Sequence, residues 1–379
     1  MKQTLSLATP FDFLDKKLQL FFENRFWKIR LILLALFISA GSLLLFNFIF
    51  VDVGLRSLYQ EMRHPGSVGG LFWDDIILQG EDPFTPKHYE AGTHEANQTF
   101  RLTIPFIARF LHLNVATLYL LHVLVGLAFI WVVTSVVANI LENKVLTFYF
   151  VTGFTAIYAG ANFYINWFGH ADAFPFLFMA LVLFLRKPVW VLIFSQLAFW
   201  CDERALINST FIGLWFLIPL LDNLFTNKKL DFKLIPAAVY TLVISGIIYV
   251  ALRKWMEISL GLSIGHDSSL SEKTVMWSLS IFGDKITRGL EGMWLILFGA
   301  LAILVLSKQW IKFTLFSGSL LITVIIMLMV ADGTRALSYG FVAFFIALKI
   351  LHDQISIKQL RYLLILSALI SLMLPLSFP

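Results

Sequence analysis

Charge is what this chain has least of. Asp, Glu, Lys and Arg make up 14% of its 379 residues, against about a quarter in soluble domains. That shortage excludes a water-facing surface over most of its length. The net charge is only +5; it reflects basic residues flanking apolar runs, and no nucleic-acid partner is expected. Cysteine is nearly absent. Cys201 stands alone, which excludes an intramolecular disulfide and any cysteine-based metal cluster. The chain shows no internal repeat, no low-complexity tract and no separate soluble domain, so residues 1–379 read as one integral-membrane domain. No small-residue cleavage site follows the first apolar run, which is expected to be a retained span.

What the chain has instead is apolar sequence, 59% of the total, in runs that recur from end to end. The pattern predicts an all-α polytopic membrane protein of about eleven spans of ~20 residues. The expected spans are 31–50, 115–140, 145–164, 173–185, 189–200, 205–221, 234–252, 289–306, 313–330, 336–350 and 363–376. Residues 1–30 mix Phe, Leu and Trp with Lys16, Lys17, Arg25, Lys28 and Arg30 and read as an amphipathic cytoplasmic segment. Lys and Arg gather in alternate turns, which places the N-terminus inside and the intervening loops outside. Two outer loops are long, 51–113 and 253–288. The end of the first, Arg101 to Leu113, is too short to cross ~30 Å of hydrocarbon and is expected to lie in the interface.

The polar residues are not scattered evenly. The first long loop holds Asp52, Asp74, Asp75, Glu81, Asp82, His88, Glu90, His94, Glu95 and Arg101. Three short clusters share its side of the membrane: Gly169-His170-Ala171-Asp172, Asp202-Glu203-Arg204 and Asp332-Gly333-Thr334-Arg335. The inner turns carry nothing comparable. Depth adds to this. Asp172 lies 14 residues before Arg186, and Asp202 lies 15 after Lys187. At ~1.5 Å per residue both carboxylates stand about 21–23 Å from the inner surface, inside a hydrocarbon layer of ~30 Å. A recess at that depth suits a substrate with a lipid tail and a polar head.

Each cluster also has a plain reading. Asp332 and Arg335 are three residues apart and could simply neutralise one another on a helix. Asp202-Glu203-Arg204 could be a self-compensated helix end. His112 and His122 sit in or beside apolar runs and read as core residues. Trp73, Trp167, Trp200, Trp255, Trp277 and Trp294 read as interface anchors. Asn97-Gln98-Thr99 fits a glycosylation sequon, a weak signal. A carboxylate beside arginines at a membrane surface, by contrast, suits general-base activation of a hydroxyl while the arginines hold a phosphate leaving group. Asp52, held at the end of a span, is better fixed for that role than acids in mid-loop.

Taken together, these segments resemble the GT-C class of integral-membrane glycosyltransferases. The likeness lies in a long first outer loop opened by an acidic residue and an arginine before a proline, Phe100-Arg101-Leu102-Thr103-Ile104-Pro105. It extends to Gly169-His170-Ala171-Asp172, Asp202-Glu203-Arg204-Ala205 and the late Asp332 to Arg335. The resemblance implies inverting sugar transfer from a polyprenyl-phosphate-linked donor to a glycan, lipid or protein acceptor at the non-cytoplasmic face. By position it makes Asp52 the base and has Arg335 and Arg204 bind the donor phosphate. Asp172, His170 and Asp202 would line the pocket, with His94, Arg101 and Asp332 as further binding candidates. Many members carry an acidic pair directly after the first span. Here Asp52 stands alone and a pair follows at Asp74-Asp75, which leaves Asp52 and Asp75 as alternative bases. A divalent metal could be held by so many carboxylates, but arginines neutralise a phosphate without one, and no metal or other cofactor is expected. The competing classes are a polysaccharide polymerase, an acyltransferase (which would need a histidine base) and a secondary transporter.

Overall fold

The computed structural model describes residues 8–85, 98–228, 231–262, 272–330 and 332–374. The described residues are 83% helical. The helices are α1 Ala8–Phe21, α2 Trp27–Arg63, α3 Trp73–Glu81, α4 Thr103–Phe110, α5 Val115–Leu141 and α6 Lys144–Ala156. They continue with α7 Tyr158–Ile165, α8 Ala173–Leu185, α9 Pro188–Phe199, α10 Glu203–Asn227, α11 Ala237–Leu260 and α12 Glu272–Ser280. The last are α13 Phe282–Leu290, α14 Trp294–Leu306, α15 Trp310–Met329, α16 Gly333–Ser338, α17 Val342–Gln354 and α18 Ile357–Met373.

Among the described residues, seven helical stretches are long and apolar enough to cross a membrane, against the eleven expected: 27–63, 115–141, 203–227, 237–260, 282–306, 310–329 and 333–354. These are the mark of a multi-pass membrane protein. The other four expected spans are helical but fall short. α8 and α9 have 13 and 12 residues, about 20 Å each at ~1.5 Å per residue, and α18 has 17. The expected span 145–164 is broken at Ile157, whose backbone is extended. Gly160 explains the break. A Cβ there would stand 2.1 Å from the Phe154 carbonyl oxygen, so only glycine allows the chain to fold back so closely.

The first long loop also starts later than expected. α2 kinks at Asn47, whose φ/ψ are non-helical, and then continues as helix through Asp52 to Arg63. Asp52 and Arg56 form an i,i+4 ion pair, and Val51 and Leu58 bury the other face. Those polar residues decorate a helix rather than end it. α11 likewise continues to Leu260, shortening the second loop.

Burial grades sharply across the bundle. In the most apolar 18-residue window of 333–354, 83% of residues are buried, against 17% in that of 310–329. The first is the central post and the second is peripheral. Around the post, Phe129, Phe154, Phe176 and Phe344 close on Phe341 or on one another. The Phe129–Phe341 and Phe176–Phe341 centroids are 5.1 and 5.6 Å apart, edge-to-face or tilted as aromatic quadrupoles favour. Such van der Waals packing is the main cohesion available where no water is expelled. α1 is tied to one end of the bundle. Arg361 bonds Asp12 and Asp15, and the Tyr149 hydroxyl donates to Asp15 at 2.6 Å. The opposite end carries the polar clusters.

Candidate functional site

The clusters converge because of how the connections run. α8 and α9 form a hairpin, so Asp172 before α8 and Asp202 after α9 emerge at the same end. Asp202 caps α10 by accepting from the Arg204 backbone N–H at 2.9 Å, and Asp332 caps α16 by accepting from that of Arg335 at 3.3 Å. Both are ordinary N-cap residues by sequence. Each cap then turns its arginine back into the bundle.

Asp172 is the hub. Arg335 donates to it twice, Nε to Oδ2 at 2.6 Å and Nη2 to Oδ1 at 2.9 Å. The Tyr158 hydroxyl donates to Oδ2 at 2.6 Å and that of Tyr339 to Oδ1 at 3.0 Å. Asn166 in turn donates to the Tyr158 oxygen at 3.1 Å. Asp202 is gripped in the same way by Arg204, at 2.8 and 2.6 Å, and by Arg101 at 3.1 Å. The Arg204 guanidinium lies 4.9 Å from the Tyr339 ring centroid, so the two halves form one network.

Its charge is uneven by depth. Three guanidiniums, Arg101, Arg204 and Arg335, meet two deeply buried carboxylates, Asp172 and Asp202. The balancing acids Glu203 and Asp332 sit at the rim, with about a third of each side chain exposed. Burial pushes the Asp172 carboxyl up, but Arg335 overrides it and holds it below the usual carboxylate range. Burial also opposes ionisation of Asp202; Arg101 and Arg204 outweigh it and hold that group far lower. Ionised and fully engaged, neither is a proton acceptor near neutrality. Burial pushes the Cys201 thiol well above its ordinary value, which leaves it a poor nucleophile.

Arg101 occupies the edge of this network. It precedes α4, which is pinned to the end of α9 by Thr103, whose N–H and hydroxyl donate to the carbonyls of Trp200 and Leu197 at 3.1 and 2.9 Å. Its Nε is buried and has no hydrogen-bond partner among the described residues. Arg101 lines a recess with Ile76, Gln79, Gln98, Gly169 and His170. The far wall is the 166–172 loop, docked on the start of α3. Phe72 N–H donates to the Phe168 carbonyl and the Trp73 indole to that of Trp167, both at 2.7 Å. The His170 ring stacks on Phe72, centroids 5.4 Å apart. Gly169 makes this docking fit. Its φ is +91°, and a Cβ would stand 2.6 Å from the Trp73 nitrogen.

The expected site residues separate accordingly. Arg101, Asp172, Asp202, Arg204, Asp332 and Arg335 are brought together, and His170 joins Arg101 at the recess. Arg204 and Arg335, expected to hold a phosphate, have their forks engaged by carboxylates. Asp52 is not brought in. It pairs with Arg56 at 3.0 Å, and 38% of its side chain is exposed. Asp75 lies in the first turn of α3, one turn before the recess residue Gln79, and does not itself line the recess. Its neighbour Asp74 is raised in pKa by burial, then by Glu61 and Glu81. His88, Glu90, His94, Glu95, Asn97, His266 and Asp267 lie outside the described residues.

Tyr158, Tyr339 and Gln79 were not anticipated. A signal existed: Tyr158, Asn162 and Asn166 recur every fourth residue in an apolar run, and Tyr339 stands four after Arg335, as partners on one helix face do. Trp73 and Trp167, expected as interface anchors, are instead fully buried beneath the site. Their indoles pack where the 166–172 loop meets α2 and α3. His122 is a core residue as expected, against Trp73 at 5.4 Å, while His112 is exposed. Compared with family models, with curated proteins and with solved structures, the chain matches none.

Proposed function

We propose that the chain is a membrane glycosyltransferase of the GT-C kind, moving a sugar from a polyprenyl-phosphate-linked donor to an acceptor hydroxyl at the non-cytoplasmic face. One observation carries the reading. The Arg101 guanidinium is fixed by Asp202, its Nε–H has no partner among the described residues, and Arg101 borders a recess with Gln79, Gln98 and His170. A phosphate oxygen satisfies that donor with a charge-assisted bond. The network behind it supplies excess positive charge at depth, where a lipid phosphate sits.

In this reaction Asp75 takes the proton of the acceptor hydroxyl. The freed oxygen attacks the anomeric carbon opposite the phosphate, and the carbon–oxygen bond to the lipid phosphate breaks. The phosphate leaves with the electron pair, held by Arg101, and the anomeric centre inverts. Asp75 is preferred to Asp52 because it stands one helical turn before Gln79, which lines the recess. Arg204 and Arg335 shape the field without gripping the donor. Asp172 and Asp202 hold the arginines, and His170 and Asp332 border the pocket.

The test is transfer from labelled polyprenyl-phosphate sugars in membranes containing the chain, read by thin-layer chromatography or mass. Arg101→Ala and Asp75→Asn are each expected to lower transfer by about 100-fold or more, with Asp52→Asn close to wild type. No lipid-dependent transfer with any donor would overturn the class. Loss in Asp52→Asn but not Asp75→Asn would move the base. A second reading, a secondary carrier, is favoured by one observation, the interruption of the 282–306 span at Glu291, since broken helices build carrier sites. Uptake into sealed vesicles without a covalent product would favour it.

A further inference from the structure

The stretch 282–306 is long and apolar enough to span a membrane, but it is not one helix. α13 ends at Leu290, Glu291 to Met293 form a 3-10 turn, and α14 begins at Trp294. Glu291 has φ +47° and ψ −130°, a conformation that favours glycine and that other residues hold only when their surroundings impose it. It lies 15 residues before Leu306, about 22 Å along a helix and so within a ~30 Å hydrocarbon layer. The residue is 6% exposed, and neither carboxyl oxygen has a hydrogen-bond partner among the described residues.

The elements packed on this turn bring no cation to it. On α13, Lys285 donates to Ser278 and the Val330 carbonyl, and Arg288 pairs with Asp284. On α6, Lys144 donates to the Phe22 carbonyl and Tyr149 to Asp15. On α18, Arg361 pairs with Asp12 and Asp15, and Lys358 and Tyr362 lie with it in the first two turns, about 7–20 Å along the helix from Ser367 and Ser371. The Tyr164 hydroxyl of α7 donates to the Thr155 carbonyl at 2.8 Å. Oxygen is present, however. Ser371 packs against the adjoining Gly292, its nitrogen 2.9 Å from where a Cβ on Gly292 would lie. The Ser371 hydroxyl is wholly buried and also has no partner among the described residues.

An ionised carboxylate left in such surroundings is too costly to persist. We propose that Glu291 is the seat of a monovalent-cation site, in which a proton or a sodium ion neutralises the carboxylate and the Ser371 hydroxyl supplies a further oxygen. A single negative charge sets the valence, because a divalent ion would leave a buried excess of positive charge. The site is separate from the Arg101 recess and does not rest on the transferase reading.

A ligand that binds only the folded state stabilises it by mass action. The test is the thermal unfolding midpoint of the purified chain in detergent, across a pH series, with sodium chloride exchanged for choline chloride at constant ionic strength. A proton site raises the wild-type midpoint as pH falls, whatever the salt. A sodium site raises it as sodium replaces choline at fixed pH. Glu291→Gln is expected to remove whichever response is present. A wild-type midpoint indifferent to both, or a response unchanged in Glu291→Gln, overturns the proposal. Should that variant fail to fold, infrared difference spectra of the wild type decide. A protonated carboxyl band, or a carboxylate band that shifts with sodium, supports the site; the absence of both refutes it.

Discussion

Asp172 and Glu291 are both buried acids in the body of the bundle, and they are treated in opposite ways. Asp172 accepts from Arg335 twice, from Tyr158 and from Tyr339. Glu291 accepts from nothing among the described residues. The difference follows from where each backbone leads. Asp172 stands at a helix start facing three other helix starts, two of which deliver arginines. Glu291 sits in a break inside one stretch, surrounded by α6, α13 and α18, whose charged groups are committed elsewhere. A buried carboxylate with internal cations is a rigid structural hub. One without them needs an external cation, and that makes it responsive to solution conditions.

The strongest way to break this contrast is to remove the hub's charge. Asp172→Asn leaves the Arg335 cation buried with only rim-exposed Asp332 beside it. Breaking such a pair from one side costs about 3–5 kcal/mol, so a large fall in the unfolding midpoint is expected, along with loss of transfer. Gly169→Ala is the next largest. Its positive φ and the approach to the Trp73 nitrogen together cost about 1–3 kcal/mol, with the recess wall displaced. Transfer is therefore expected to fall even at temperatures where the protein remains folded.

A pH series sharpens the contrast. Asp172 and Asp202 are held below the ordinary carboxylate range. Their stabilisation is therefore fully present above the ordinary carboxylate value and is lost only as pH falls through their lowered values. Between about pH 5 and 8 they contribute no slope. A midpoint that drops across that window as pH rises, in wild type but not in Glu291→Gln, would isolate a proton at Glu291. The smallest effect is expected for Asp52→Asn. Its exposed pair with Arg56 contributes about 0–1 kcal/mol, and the midpoint should scarcely move.

Much of the network was legible because polar residues at the ends of apolar runs have few places to go. Asp172, Asp202, Arg204, Asp332 and Arg335 all stand out for that reason, and the hairpin arithmetic put Asp172 and Asp202 at one depth. The partners were harder to read. Tyr158 and Tyr339 hide in apolar runs because a tyrosine ring is compatible with either lipid or core. The position of Asp52 was misread as a loop opening because Asp52 and Arg56 look like the end of a span, whereas their i,i+4 spacing extends the helix. Glu291 falls inside the expected span 289–306, and nothing local reveals that its carboxylate is buried without a partner among the described residues.

By itself the sequence determined a helical, multi-pass chain with its charges confined to a few segments, since apolar runs of that length must satisfy their backbone hydrogen bonds internally. The tertiary structure alone decided which carboxylate meets which arginine, and which buried donors and acids are left without a partner among the described residues. Ion pairing and burial depend on contacts between residues far apart in the chain, such as Asp172 with Arg335 and Arg101 with Asp202. Spacing along one helix does not encode those contacts.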